Sequence, residues 1–157
     1  MKYLLPLPAL LLAGCQMLSY TAPTDGDVAT VTFSSDNIAA QPVVCVPGKG
    51  FQSTPTSLQQ VPFETKAFDE LLKTMKKAPE VTTTVRADEQ ARIGVIYQKG
   101  SAGNRDLCRV AVQFNAQAGA SYAARFTNDN NQCGLEVSGE GGLQADAVPV
   151  DWKCPKK

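Results

Sequence analysis

The residues of this 157-residue chain whose type and number could do chemistry are its five cysteines, Cys15, Cys45, Cys108, Cys133 and Cys154. No histidine accompanies them. That removes Ser-His-Asp and Cys-His nucleophilic sites and every His-ligated metal site. No two cysteines form Cys-x-x-Cys, so neither a dithiol redox motif nor a zinc knuckle is indicated. Ser-x-x-Lys is also missing, and with it the simplest histidine-free hydrolase. Pro47-Gly48-Lys49-Gly50 lacks both the spacing and the following Ser or Thr of a phosphate-binding loop and reads as a turn. Asn128-Asp129-Asn130-Asn131-Gln132 offers oxygen ligands without the Asp-x-Asp-x-Asp-Gly register or distal Glu of a calcium loop. The pairs Asp25/Asp27 and Asp88/Glu89 fall in a tether and a turn, where nothing would tune one carboxyl against another. No catalytic residue, metal ligand or cofactor is therefore expected. Fifteen basic against fifteen acidic residues leave no surplus for phosphate contacts, which argues against nucleic acid as a partner.

Cys15 stands apart from the other four. Lys2 is followed by an apolar run from Tyr3 to Ala13, interrupted by Pro6 and Pro8. The run is short of the roughly 20 residues that a membrane span needs and suits a signal-peptide core. It ends in Leu12-Ala13-Gly14-Cys15, which resembles the lipobox of bacterial lipoproteins: Leu, two small residues, then Cys. The resemblance implies removal of residues 1–14 and a lipid anchor on Cys15, held in the bilayer by about 0.8 kcal/mol per buried methylene. Gln16, where an Asp would mark retention at the inner membrane of Gram-negative bacteria, implies the outer membrane, with the protein facing the periplasm.

An exported chain lives where disulfides persist. Cys45, Cys108, Cys133 and Cys154 allow three connectivities, of which Cys108–Cys133 with Cys45–Cys154 is favoured. On loop-closure entropy the shorter bridge is worth roughly 3.5 kcal/mol and the longer nearly 5.

The positioning elements read as mainly β. Residues 15–27, rich in Ser, Thr, Pro, Gly and Asp, suggest a flexible tether, and 28–157 a single disulfide-bonded domain. Val28–Phe33 alternates like a strand, Val43–Val46 is a second short one, and Pro47 to Pro62 reads as loop. Between Phe63 and Lys77 the period changes. Ala67, Phe68, Leu71, Leu72 and Met75 make one helical face, so a helix over 63–77 is expected, stopped by Pro79. Lys73, Lys76 and Lys77 in its last turn complement the helix dipole; a lipid-headgroup patch is their other use. Val81–Val85 and Arg92–Tyr97 suggest a hairpin, and Lys99–Arg105 a loop. Cys108–Phe114, Tyr122–Thr127 and Cys133–Ser138 alternate as three consecutive antiparallel strands, with Phe114, Tyr122, Phe126 and Tyr97 turned inward. In a flat meander Cys108 and Cys133 would lie two strand spacings apart, roughly 9.6 Å, too far for a disulfide. The favoured bridge therefore demands that the chain cross between two sheets, or twist sharply, near Cys133. Ser138–Gly142 reads as a flexible connection, Val148–Cys154 as a last extended piece.

Cys108-Arg-Val-Ala-Val-Gln-Phe114, Gly119-Ala-Ser-Tyr122 and Cys133-Gly-Leu-Glu-Val137 resemble a pattern in small proteobacterial lipoproteins. The resemblance implies an antiparallel β-sandwich, immunoglobulin-like or transthyretin-like, and supplies no activity. The expectation is a lipid-anchored, non-enzymatic envelope protein presenting a β-sandwich to a protein or cell-wall partner. Its alternatives are a periplasmic small-ligand binder, with a cavity between helix and sheet, and an accessory lipoprotein of a secretion or pilus machine.

Overall fold

A computed structural model describes residues 19–36, 38–59, 66–101, 104–129 and 132–156. The expected signal peptide, Cys15, the start of the tether and the first residues of the expected helix lie outside them. In chain order the elements are β1 (Val28–Ser35), β2 (Gln41–Val46), β3 (Gly50–Ser53), β4 (Ser57–Leu58), α1 (Lys66–Thr74), β5 (Lys77–Ala78) and β6 (Glu80–Arg86). There follow β7 (Asp88–Ser101), β8 (Asn104–Ala116), β9 (Ser121–Asp129), β10 (Gln132–Gly139), β11 (Gly142–Leu143) and β12 (Val148–Val150).

Two five-stranded sheets carry the fold, one in the order β11-β10-β9-β1-β6 and the other β12-β8-β7-β2-β3. Their inner faces follow from strict alternation. Ala29, Val31 and Phe33 of β1, Val81 and Val85 of β6, and Tyr122, Ala124 and Phe126 of β9 are buried. They meet Ile93 and Val95 of β7 and Val112 and Phe114 of β8 in one apolar core. Phe114 and Tyr122 make an edge-on ring contact at 4.9 Å across the two layers, and Tyr97 sits 6.0 Å from Phe126. The outward positions of β1 and β6 are threonines, with the hydroxyls of Thr32 and Thr82 3.0 Å apart. This is a mainly β, sandwich-like fold whose two five-stranded sheets are antiparallel but for β1, which runs parallel to β9, while β4 and β5 form a separate parallel pair.

That parallel pair corrects the sequence reading of 108–138 as one meander. β8 and β9 belong to different sheets, and residues 117–120 carry the chain between them instead of closing a hairpin. Gly119 takes φ +77° and donates its N–H to the Val28 carbonyl at 2.7 Å. The Tyr122 hydroxyl locks the corner, donating to the Asn115 carbonyl at 3.2 Å and accepting from the Gln117 N–H at 3.0 Å. The same kind of device holds inter-sheet corners in Greek-key sandwiches. Replacing Tyr122 by Phe keeps the ring and loses both bonds, so about 1–2 kcal/mol of stability should go, read as a lower urea midpoint at unchanged slope.

The crossover demanded by the short bridge thus exists, at 117–120 and not near Cys133. Cys108 on β8 and Cys133 on β10 face each other from opposite sheets, with Cα atoms 6.4 Å apart. Cys45 and Cys154 are the other pair at disulfide distance, with Cα atoms 5.4 Å apart.

Three further expectations fail for the same reason, that local turn composition does not say which sheet a strand joins. Val81–Val85 and Arg92–Tyr97 form no hairpin, because β6 pairs with β1 while β7 pairs with β2 and β8. The loop expected over 99–105 is mostly ladder, with Lys99 opposite Asp106 and Ser101 opposite Asn104. The loop expected over 47–62 contains β3 and β4, and Ser138–Gly142 is the tight β10–β11 connection, with Gly139 opposite Gly142.

The helix expected over 63–77 is absent in that form. α1 has nine residues, and Lys77 is already strand. Lys76 ends it in the left-handed region at φ 52°, three residues ahead of Pro79. None of its described residues belongs to the core, and Leu71 and Met75 are 53% and 51% exposed. Its apolar period is real; what it lacks is a sheet face to pack on, because the two sheets already fill each other's inner faces.

Candidate functional site

Residues 19–27 behave unlike a flexible tether. Ser19 bridges Ser53, and the Tyr20 N–H donates to the Ser53 carbonyl on β3 at 2.7 Å. The Tyr20 ring is buried, and its hydroxyl donates to the Thr84 carbonyl on β6 at 2.8 Å. One residue therefore ties the edge strand of one sheet to the edge strand of the other. The Thr84 hydroxyl donates to the Pro23 carbonyl at 2.9 Å, and Arg86 lies 3.6 Å from the Asp25 carboxylate. Ala87 N–H closes the series on the Asp27 carbonyl at 2.9 Å. Burial pushes the Tyr20 phenol up to about 12, with Arg86 opposing the shift. The composition of 15–27 suggested solvation; the lone tyrosine among Ser, Thr and Pro was the available signal that this stretch docks.

The strap walls a surface cleft of about 780 Å³ at one end of the sandwich. The other walls are the end of β2 and its turn, the β6–β7 corner and the tail at Pro155–Lys156. Its floor is apolar (Tyr20, Val44, Val85, Ala91) and its rim charged (Asp25, Arg86, Asp88, Arg92, Lys156). The size suits a bound segment or a small molecule.

Four of the five rim charges are already engaged. Asp25 meets Arg86, and Asp88 accepts the Gln90 N–H at 2.8 Å beside a β-bulge. Arg92 donates to Gln113 Oε1 at 2.9 Å and to the Lys153 carbonyl at 2.7 Å, and approaches Asp151 at 3.9 Å. Such charges can orient a polar partner but do not form a proton-transfer couple. The sequence placed Asp25 and Asp88 in unrelated segments; the fold brings both to one cleft. Among the described residues no group of three or more carboxylates and cysteines could hold a metal ion. Pro47–Gly50 is the β2–β3 turn, with Gly48 at φ +78°. Asn128 and Asp129 end β9, and Asn130 and Asn131 lie outside the described residues.

No family model matches the chain, and neither a curated protein nor a solved structure is similar to it.

The tail that borders the cleft is itself fastened across the outer face of the second sheet. β12 pairs with β8, and Cys154 reaches Cys45. Between them Trp152 stacks on Phe51 with ring centroids 4.4 Å apart, and Arg109 lies 6.0 Å from its centroid. Gly94 makes room for that ring. A Cβ there would stand 2.7 Å from the Val110 carbonyl, 3.0 Å from Trp152 and 3.2 Å from Val43. Gly94→Ala should cost about 1–3 kcal/mol by overpacking, visible as a lower urea midpoint with displaced tryptophan emission.

Proposed function

We propose that the protein is a lipid-anchored, non-enzymatic component of the cell envelope that offers the cleft between strap, β6–β7 corner and tail to a protein partner. The observation that carries this reading is the docked strap. Described structure begins within four residues of Cys15, and the same segment that would lead from the lipid forms a wall of this cleft. An extended polypeptide suits a floor of small apolar side chains under a rim of mixed, already oriented charge. It can add hydrogen bonds there without desolvating an unpaired ion.

The small-ligand alternative placed its cavity between helix and sheet. The described residues of α1 do not join the core, and a ligand would use the same surface cleft.

The test joins two measurements. Cys15→Ser should release the protein from the membrane fraction, and the mass of the parent chain should show acylation at Cys15. A photo-crosslinking residue at Asp88 should capture a protein that the same group at Leu143, far along the sheet, does not. Equal capture from both positions, or from neither, would count against the cleft.

A further inference from the structure

Among the exposed large apolar side chains, Leu107, Leu143 and Val148 belong to different strands, whereas Leu71 lies on α1 and Met75 directly follows it, its N–H donating to the Leu71 carbonyl at 3.2 Å. Side chains four apart share a helix face. This face leaves the sandwich. Its described residues stay out of the core, and the contact it makes most is with β5, to which it is joined. Basic residues flank the apolar pair. Lys66, Lys73, Lys76 and Lys77 stand against Asp69 and Glu70, with Lys73 bonded to Glu70 at 2.9 Å. Apolar residues on one side of a short helix with lysines about them are the composition of a segment that lies in a bilayer interface.

The position of α1 points the same way. Its C-terminal end is tied to β4, where the Ser57 N–H donates to the Lys76 carbonyl at 3.0 Å. Ser57 is four residues from Ser53, no more than about 14 Å of extended chain, and Ser53 is where Ser19 and Tyr20 dock. Cys15 in turn is four residues from Ser19, again about 14 Å at most. β7 alone, with 14 residues, is about 45 Å long. The leash is shorter than the body it holds, so the edge of the sandwich that carries both strap and α1 must lie against the membrane.

We propose that α1 is a second membrane contact. Leu71 and Met75 enter the interface of a bilayer bearing anionic headgroups, while Lys76 and Lys77 meet the phosphates. A single attachment lets a domain swivel; two attachments on one edge fix which face looks away. The proposal rests on the anchor at Cys15 and specifies how the anchored domain sits.

The experiment uses the acylated protein on vesicles of phosphatidylcholine alone and on vesicles containing phosphatidylglycerol. Flotation reads the anchor, and amide hydrogen exchange over 66–78 reads the helix. The expected result is flotation on both, with exchange over 66–78 slowed by about tenfold on the anionic vesicles only. Leu71→Asp with Met75→Asp should float equally well and lose that protection, while exchange in β7 and β8 stays unchanged. Lys76→Gln with Lys77→Gln should reduce the difference between the two vesicle types. Flotation with the same exchange on both vesicle types, matching the Asp variant, overturns the helix contact and leaves the anchor standing. Failure to float overturns the anchor, and the helix contact with it.

Discussion

Removing the Cys45–Cys154 pair, as Cys45→Ala with Cys154→Ala, should cost about 4–5 kcal/mol. The two residues are 109 apart in sequence, so the cross-link closes most of the folded domain into one loop. Loop-closure entropy grows only slowly with length, and the Cys108–Cys133 pair, 25 apart, should be worth roughly 3.5 kcal/mol on the same account. Against a total stability of roughly 5–15 kcal/mol, either loss is large. The longer bridge should also act locally. It ends a tail otherwise held by three β12 pairings, the Trp152–Phe51 stack and the bond from Arg92 to the Lys153 carbonyl. Without the bridge, tryptophan emission should move to the red before the urea transition, since the tail can lift from Gly94 ahead of the core. Urea unfolding followed by both far-ultraviolet dichroism and tryptophan emission separates the two effects. A double variant within about 1 kcal/mol of the parent, with coincident transitions, would show that the tail is held by packing alone.

How much of this could be read from the chain depends on what kind of information each feature needs. Strands with one buried face announced themselves, because alternation in Val28–Phe33, Cys108–Phe114 and Tyr122–Thr127 is a local signal, and the structure buries Ala29, Val31, Phe33, Val112, Phe114, Tyr122, Ala124 and Phe126, with Val110 partly buried. Sheet membership was not local. Asn115–Gly119 has the composition of a hairpin turn and is a crossover, because the Tyr122 hydroxyl and the Val28 carbonyl stabilise a corner that composition does not encode. Geometry nevertheless forced the right question: a bridge between Cys108 and Cys133 cannot form inside one flat sheet, so a crossover or a sharp twist was expected near Cys133, and the crossover lies earlier, at 117–120. The helix was overread in the other direction. Its period extends over a shorter stretch than expected, because α1 spans Lys66–Thr74 and Lys77 is already strand. For the cleft, Tyr20, Arg86 and Asp88 lie in three segments that no spacing rule relates. Only the pairing of β1 with β6, and of β7 with β8, brings them to one end of the sandwich.

Tyr20→Ala should be the most damaging single substitution outside the two inner sheet faces, at about 3–5 kcal/mol for a buried aromatic ring. Among the described residues of its segment it is the fully buried side chain, with Ala22 only partly buried beside it; its two hydrogen bonds reach one edge strand each. Tyr20→Phe isolates the hydroxyl and should cost about 1–2 kcal/mol. The pH dependence separates the two roles. In the folded protein the phenol is held up to about 12, above its ordinary value of 10.0. The neutral form is thus favoured by folding. The contribution is complete below about pH 10, where the unfolded chain would ionise, and drains away as pH rises towards 12. The parent should lose stability steeply across that window, and Tyr20→Phe should lose less, so the two curves converge. Alkaline titration of tyrosinate absorbance, with urea midpoints taken through the same range, measures both. Parallel stability curves, or a Tyr20 that ionises together with exposed tyrosines, would mean that the strap is not seated as described. If the strap is seated, Tyr20→Ala should also weaken capture through Asp88 at temperatures where the core remains folded. One wall of the cleft would then have come away while Arg86, Asp88 and Arg92 stay in place. That outcome ties the binding surface to the segment leading to Cys15, so that release of the strap empties the cleft of its partner before the domain unfolds.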